Sequence, residues 1–129
     1  MTVLIICLFI ALILPIVAKA PVALAMSKLG GYNNNHPREQ QQKLSGFGAR
    51  ALAAHQNAFE ALILFAPAIV LAIATNNTQT SVCVLAIIHV ISRILYNIFY
   101  LADWHLLRSI VWAIATLSSY AIAASCIPL

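Results

Sequence analysis

Four polar side chains, Arg50, His55, Asn57 and Glu60, stand at the head of a stretch that is otherwise apolar enough to cross a membrane. A carboxylate in lipid costs several kcal/mol, so such groups turn into a bundle and find partners; they mark a site by default. A helix advances about 100° per residue. Arg50 and Asn57 therefore fall on nearly one line and Glu60 lies one side chain away, while His55 points roughly 140° from Arg50. Further along, His89, Arg93, Tyr96 and Tyr100 form one stripe, flanked by Asn97. A third group follows at Arg108-Ser109, with Trp112 one turn below Arg108. Spare cations beside tyrosine hydroxyls suit an anionic ligand. Arg108 beside Ser109 also suits a bound thiol, because a cationic neighbour favours the thiolate, which is the nucleophile. A plainer reading pairs Glu60 with Arg93 and leaves Asn57 as an interhelical hydrogen bond.

The elements that hold these groups follow from composition. The chain has 129 residues, 63% hydrophobic and 8% charged, against about 25% charged in a soluble domain. A mean hydropathy of +0.94 fits a polytopic membrane protein. At about 20 residues per span, the length holds four helices in one unit covering residues 1–129. The expected class is an all-α membrane protein built as a four-helix transmembrane bundle. The apolar run Val3–Met26 lacks a basic lead and exceeds the usual signal length, so it reads as a first membrane helix. Pro15 and Pro21 are tolerated within it. Ser27–Gly48 reads as a loop, with Gly30-Gly31 and three asparagines favouring turns and a short helix after Pro37. The next spans are Ala49–Ala74, Ser81–Ala102 and Leu106–Ile127, joined by an uncharged turn at Asn76-Asn77 and a tight link at Asp103–His105. Asp103 is positioned to cap the last helix.

Lys28, Arg38 and Lys43 share the first loop, and Arg50 and Arg108 begin the helices entered from that side. By the positive-inside rule, these loops are cytoplasmic and both termini face outward. All the polar groups above except His89 then converge in the cytoplasmic half. The net charge of +4 acts on topology and does not indicate nucleic acid as a partner. Cys7, Cys83 and Cys126 lie in separate apolar segments and suit neither a metal site nor a disulfide framework. Trp104 and Trp112 read as interface anchors.

The patterns Arg50-x4-His55-x-Asn57-x2-Glu60 and Arg93-x2-Tyr96-x3-Tyr100, followed by Arg108-Ser109, resemble the membrane-associated proteins in eicosanoid and glutathione metabolism, the MAPEG family. The resemblance covers nearly the whole chain, and the short length is similar to that of bacterial members. It implies a four-helix bundle assembled as a homotrimer in the bacterial inner membrane. It also implies glutathione as co-substrate, bound between subunits near the cytoplasmic side, and a lipophilic small molecule as second substrate. Carried over, Asn57 and Glu60 would contact the glutathione backbone. Arg50 would belong to the same binding set. Arg93, Tyr96 and Tyr100 would hold its carboxylates and peptide groups. Arg108, with Ser109, would stabilise the thiolate. Lys28 loosely matches a basic residue near the end of the family's first helix. One departure stands out: Ala53 and Gln56 occupy positions where family members carry a further arginine.

Three functions follow from these residues. The first is a glutathione-dependent transferase or peroxidase acting on lipophilic electrophiles. The second keeps the fold but binds a lipid or another anionic thiol, as the missing arginine suggests. The third is a small membrane transporter, which four helices and one membrane carboxylate would also suit.

Overall fold

The computed structural model describes residues 1–128. It contains five helices: α1 (Thr2–Ser27), α2 (Pro37–Gln42), α3 (Gly46–Ala74), α4 (Thr80–Leu101) and α5 (His105–Ala124). All except α2 are long and apolar enough to span a membrane. No strand occurs among the described residues. The helical spans match the sequence expectation to within about three residues at each end. α3 begins at Gly46, earlier than expected, because Ser45 is extended and sets the helix start before the glycine. α5 ends at Ala124, earlier than expected. There the Ser125 hydroxyl donates back to the Ile122 carbonyl at 2.7 Å, and Pro128 lies just beyond. Proline has no N–H to continue a helix.

Small residues let the helices approach closely. The buried face of α3 carries Ala51, Ala54 and Ala58 toward its start and Ala68 and Ala72 toward its end, each group at three- or four-residue spacing. Between lipid-bathed helices there is little hydrophobic drive, so van der Waals contact across small side chains is the main attraction. α1 packs chiefly on α3, and α4 packs chiefly on α5. Gly48 marks a close approach: a Cβ there would lie 2.9 Å from Leu44 Cδ2 and 3.0 Å from the Ala25 Cβ. Proline 15 and Pro21 in α1 and Pro67 in α3 lie inside continuous helices.

Two apolar clusters form. The larger includes Leu4, Phe65, Ile69, Val82, Ala86 and Ile122. The smaller, at the α2 end of the bundle, joins Val22, Met26 and Ala51. The polar residues singled out in the sequence lie between and around these clusters. Outward faces remain strongly apolar, with Ile16 and Ile63 each 71% exposed and Leu117 67% exposed. Apolar surface on this scale suits lipid or another subunit and does not suit water.

The α1–α3 connection is held by one buried amide. Gln40 is 8% exposed. Its Nε2 donates to the Gly31 carbonyl at 2.7 Å and to the Met26 carbonyl at 3.3 Å, and its Oε1 accepts from the Asn33 N–H at 2.9 Å. Gly31 can reach this position because its φ of +106° is open to glycine. Asp103 does not cap α5. It adopts φ +63° in the turn, and Trp104 takes the cap position with no side-chain hydrogen bond. Aspartate tolerates the left-handed region better than most residues, so here it serves the backbone turn.

Candidate functional site

Arg93 is the centre of the site. It lies on the buried face of α4 and is 2% exposed. Its Nη2 donates to Asn57 Oδ1 at 2.8 Å and to the Asn57 carbonyl at 3.1 Å. Asn57 Nδ2 in turn donates to Glu60 Oε2 at 2.7 Å. The three residues form a relay, Arg93 to Asn57 to Glu60. Direct pairing of Glu60 with Arg93, the plain sequence expectation, does not occur: the one ion pair among the described residues joins Lys43 to exposed Glu39 at 3.9 Å. The relay has a physical basis. Residues three apart share a helix face, so Asn57 and Glu60 meet on α3, and the amide has a donor for the carboxylate and an acceptor for the cation. Glu60 itself is exposed, which leaves its second oxygen available to a ligand.

A ladder runs from Arg93 toward the α4–α5 turn. The Arg93 guanidinium carbon sits 4.2 Å over the Tyr96 ring. The Tyr96 and Tyr100 rings meet edge to face at 5.5 Å. The Arg108 guanidinium carbon sits 4.2 Å over the Tyr100 ring. Cation-π contacts within about 6 Å are attractive, and they hold a guanidinium plane without consuming its N–H donors. Of the residues expected at the site, the fold therefore brings together Asn57, Glu60, Arg93, Tyr96, Tyr100 and Arg108.

Two expected residues lie apart from this set. Arg50 sits two helical turns from Asn57, at the end of α4. Its Nη2 reaches the Leu101 carbonyl at 3.5 Å, and its buried Nε has no partner. A cation near a helix C-terminus satisfies orphan carbonyls and favours the dipole. The Ser109 hydroxyl donates to its own helix, to the His105 carbonyl at 2.9 Å, and the residue is exposed. Asn97 also turns inward on its helix, donating to the Arg93 carbonyl at 2.9 Å.

A cavity of about 140 Å³ opens beside the relay, bounded by α3, α4 and α5. Asn57, Glu60 and Arg93 form one end, and His89 and Ser119 form the other. Trp112, which read as an interface anchor, lines the same cavity. His89 and Ser119 were not expected here. His89 shares the Arg93 stripe in the sequence, but its distance from the helix end sets it deeper in the membrane than the other polar groups. Ser119 left no signal beyond a polar pair in an apolar helix.

A second, larger cleft of about 580 Å³ opens on the other side of α3, against α1 and α2. Lys19, Arg38, His55 and Gln56 line it. His55 Nδ1 lies 2.8 Å from the Pro15 carbonyl, and the ring meets Phe59 edge to face. Gln56, one of the two positions lacking the expected arginine, thus faces this cleft and not the Arg93 relay. Lys28 lies outside both clefts, in a groove with Phe47 and Gly48.

Among the described residues no cluster of histidine, cysteine and acidic groups forms a metal site. No curated protein and no solved structure matches the chain. The MAPEG family model does match, over residues 3–127 of the 129. Four membrane helices and a match across nearly the whole sequence lead to one conclusion: this integral membrane protein belongs to the MAPEG family.

Proposed function

We propose that the chain binds glutathione and activates its thiol for attack on lipophilic electrophiles. The observation that carries this reading is the continuous row from Glu60 through Asn57, Arg93, Tyr96 and Tyr100 to Arg108. It alternates groups that suit the parts of a charged tripeptide thiol. The Glu60 carboxylate, with one oxygen free, takes the amino group. Arg93 and the tyrosine hydroxyls, which have no protein partners among the described residues, take carboxylate and peptide oxygens. Arg108, half-buried and held over Tyr100, stabilises the thiolate as the proton leaves for solvent. The thiolate sulfur then forms a C–S bond to the electrophile, and a halide or other leaving group departs with the bonding pair. Ser109 joins Arg108 by rotating its hydroxyl from the His105 carbonyl.

The site is completed in a homotrimer. Support comes from cationic clefts on opposite sides of α3 and from the apolar outer faces of the bundle. A ligand seated between subunits meets the Arg93 relay of one and the Lys19–Arg38–His55 surface of the next. The apolar surroundings admit the lipophilic substrate from the bilayer. The protein sits in the bacterial inner membrane, with termini outward and the basic loops in the cytoplasm, where glutathione is available.

Detergent-purified protein should conjugate glutathione to a chlorodinitrobenzene-type electrophile. Arg108→Ala and Glu60→Gln should both depress that rate. A rate unchanged by both substitutions would remove the site. A second reading is favoured by one observation. With Ala53 in place of an arginine and Arg50 engaged at the end of α4, the pocket has fewer cations than glutathione's two carboxylates suit. In that reading the ligand is a lipid or another anionic thiol. Calorimetry across millimolar glutathione separates the two, since no heat favours the second.

A further inference from the structure

The deep end of the Arg93 cavity has a chemistry that the thiol reading does not use. His89 is 2% exposed and stacks flat on Phe65, with ring centroids 3.8 Å apart and planes at 3°. Its Nδ1 lies 2.9 Å from the Ala115 carbonyl and 3.0 Å from the Ser119 hydroxyl. The Ser119 hydroxyl donates to the same carbonyl at 3.2 Å. A carbonyl only accepts, so the ring proton sits on Nδ1. The neutral ring is then left with Nε2 as a bare acceptor. Nothing in the described residues donates to Nε2. The Thr116 hydroxyl on the same cavity wall also has no partner among the described residues.

These groups lie within the membrane-spanning part of the bundle. There, polar groups without partners cost several kcal/mol and are satisfied internally or by a wetted cavity. A dry apolar void would have no such demand. The volume is telling: about 140 Å³ is close to the roughly 150 Å³ of a cavity known to accept benzene. A second gap of about 10 Å³ lies across the same two side chains, His89 and Arg93, toward α1, with room for about one water. The cavity is apolar along Ala61, Leu64 and Ala115, and His89 and Ser119 form its floor.

We infer that this cavity is a subsite for a ring-sized group bearing a hydroxyl, whose O–H donates to His89 Nε2. The hydroxyl displaces water from the floor while the ring lies along the alanines and Trp112. His89 is a specificity-determining residue in this scheme. It selects the second substrate and takes no part in the C–S bond. Its role toward a co-substrate rests on the glutathione reading; the preference of the cavity for a hydroxyl does not.

The test therefore omits glutathione. Protein carrying ¹⁵N-labelled histidine is placed in detergent micelles, and the His89 Nε2 resonance is assigned by its loss in His89→Gln. Benzyl alcohol and ethylbenzene are then compared, since they differ only in hydroxyl against methyl. The inference expects the Nε2 resonance to move with benzyl alcohol and not with ethylbenzene. Ala61→Leu, which narrows the cavity while keeping the His89 ring, should abolish the movement. A resonance that moves with both compounds would mean apolar filling only, and one that moves with neither would mean no ligand reaches the floor; each overturns the inference. Once conjugation is established, 4-(hydroxymethyl)benzyl chloride and 4-ethylbenzyl chloride extend the test. The ratio of their kcat/KM values should fall about threefold to tenfold in His89→Leu, the loss of one hydrogen bond. An unchanged ratio would take the co-substrate away from this subsite even if binding of benzyl alcohol stood.

Discussion

Asn57→Ala tests the joint on which the site turns. The substitution removes the 2.8 Å bond from Arg93 and the 2.7 Å bond to Glu60, but it keeps the backbone carbonyl that Arg93 meets at 3.1 Å. In soluble proteins, hydrogen bonds to charged groups contribute about 1.5–3 kcal/mol each. In membrane bundles, side-chain bonds average about 0.6 kcal/mol with a maximum near 1.7, because the unfolded chain in lipid also finds partners. The membrane figures apply here. Two bonds then amount to about 1 kcal/mol on average and about 3 kcal/mol at most. Arg93 belongs near the upper part of that range, since at 2% exposure it has little access to water as a substitute. Unfolding in mixed micelles should therefore show a loss of about 1–3 kcal/mol. The more discriminating assay is a cycle of Asn57→Ala and Glu60→Gln, read as glutathione affinity by calorimetry. If the amide orients the carboxylate, the two changes couple by about 1 kcal/mol, or about fivefold in Kd. Additivity to within about 0.3 kcal/mol would refute the relay, because residues acting independently add to that precision.

The other expectations concern single residues. Arg108→Ala should lower the conjugation rate about 100-fold, the loss typical of one stabilising donor at a developing anion. Arg108→Lys should recover only part of it, since an ammonium lacks the planar fork; equal rates for Lys and Ala would exclude a charge role. Glu60→Gln should leave folding within about 0.5 kcal/mol, as expected of an exposed position, while weakening glutathione binding, and a large change in melting would contradict this. Gln40→Ala should speed proteolysis and amide exchange across residues 29–36 and cost about 1–3 kcal/mol, because the carbonyls of Gly31 and buried Met26 lose their shared donor. Gly48→Leu should destabilise by about 1–3 kcal/mol through overpacking against Leu44 and Ala25. A neutral result would mean that α1 and α3 separate without cost.

Much of this architecture was legible because membranes impose simple rules. Four apolar runs of spanning length, broken by Gly, Asn and Pro, gave four helices and three connections. The Arg93-Tyr96-Tyr100 stripe was legible for the same reason: spacing of three and four residues fixes a shared face. What angular position does not supply is radial distance between helices. Glu60 and Arg93 face each other, yet Asn57 lies between them. Arg50 shares the Asn57 line, but two turns of rise carry it to the end of α4. Gln40 was unreadable, being one of several glutamines in a polar run, and only the folded loop brings three backbone groups to it. Asp103 had the chemistry of a cap but lies one residue too early, in a left-handed turn.

The contact between Arg108 and Tyr100 has a consequence for interpreting substitutions at the tyrosine. Fixing a free arginine side chain on a ligand sacrifices roughly 2 kcal/mol of rotamer freedom. The Tyr100 ring has already restricted Arg108 before any ligand arrives. Under the proposed function Tyr100 thus carries two separable contributions in one side chain, a phenol for the ligand and an aromatic plate that readies a neighbour. Tyr100→Phe removes only the first, whereas Tyr100→Leu removes both. A defect seen only with leucine would be a loss of readiness at Arg108, even though the substituted residue would look like a lost ligand contact.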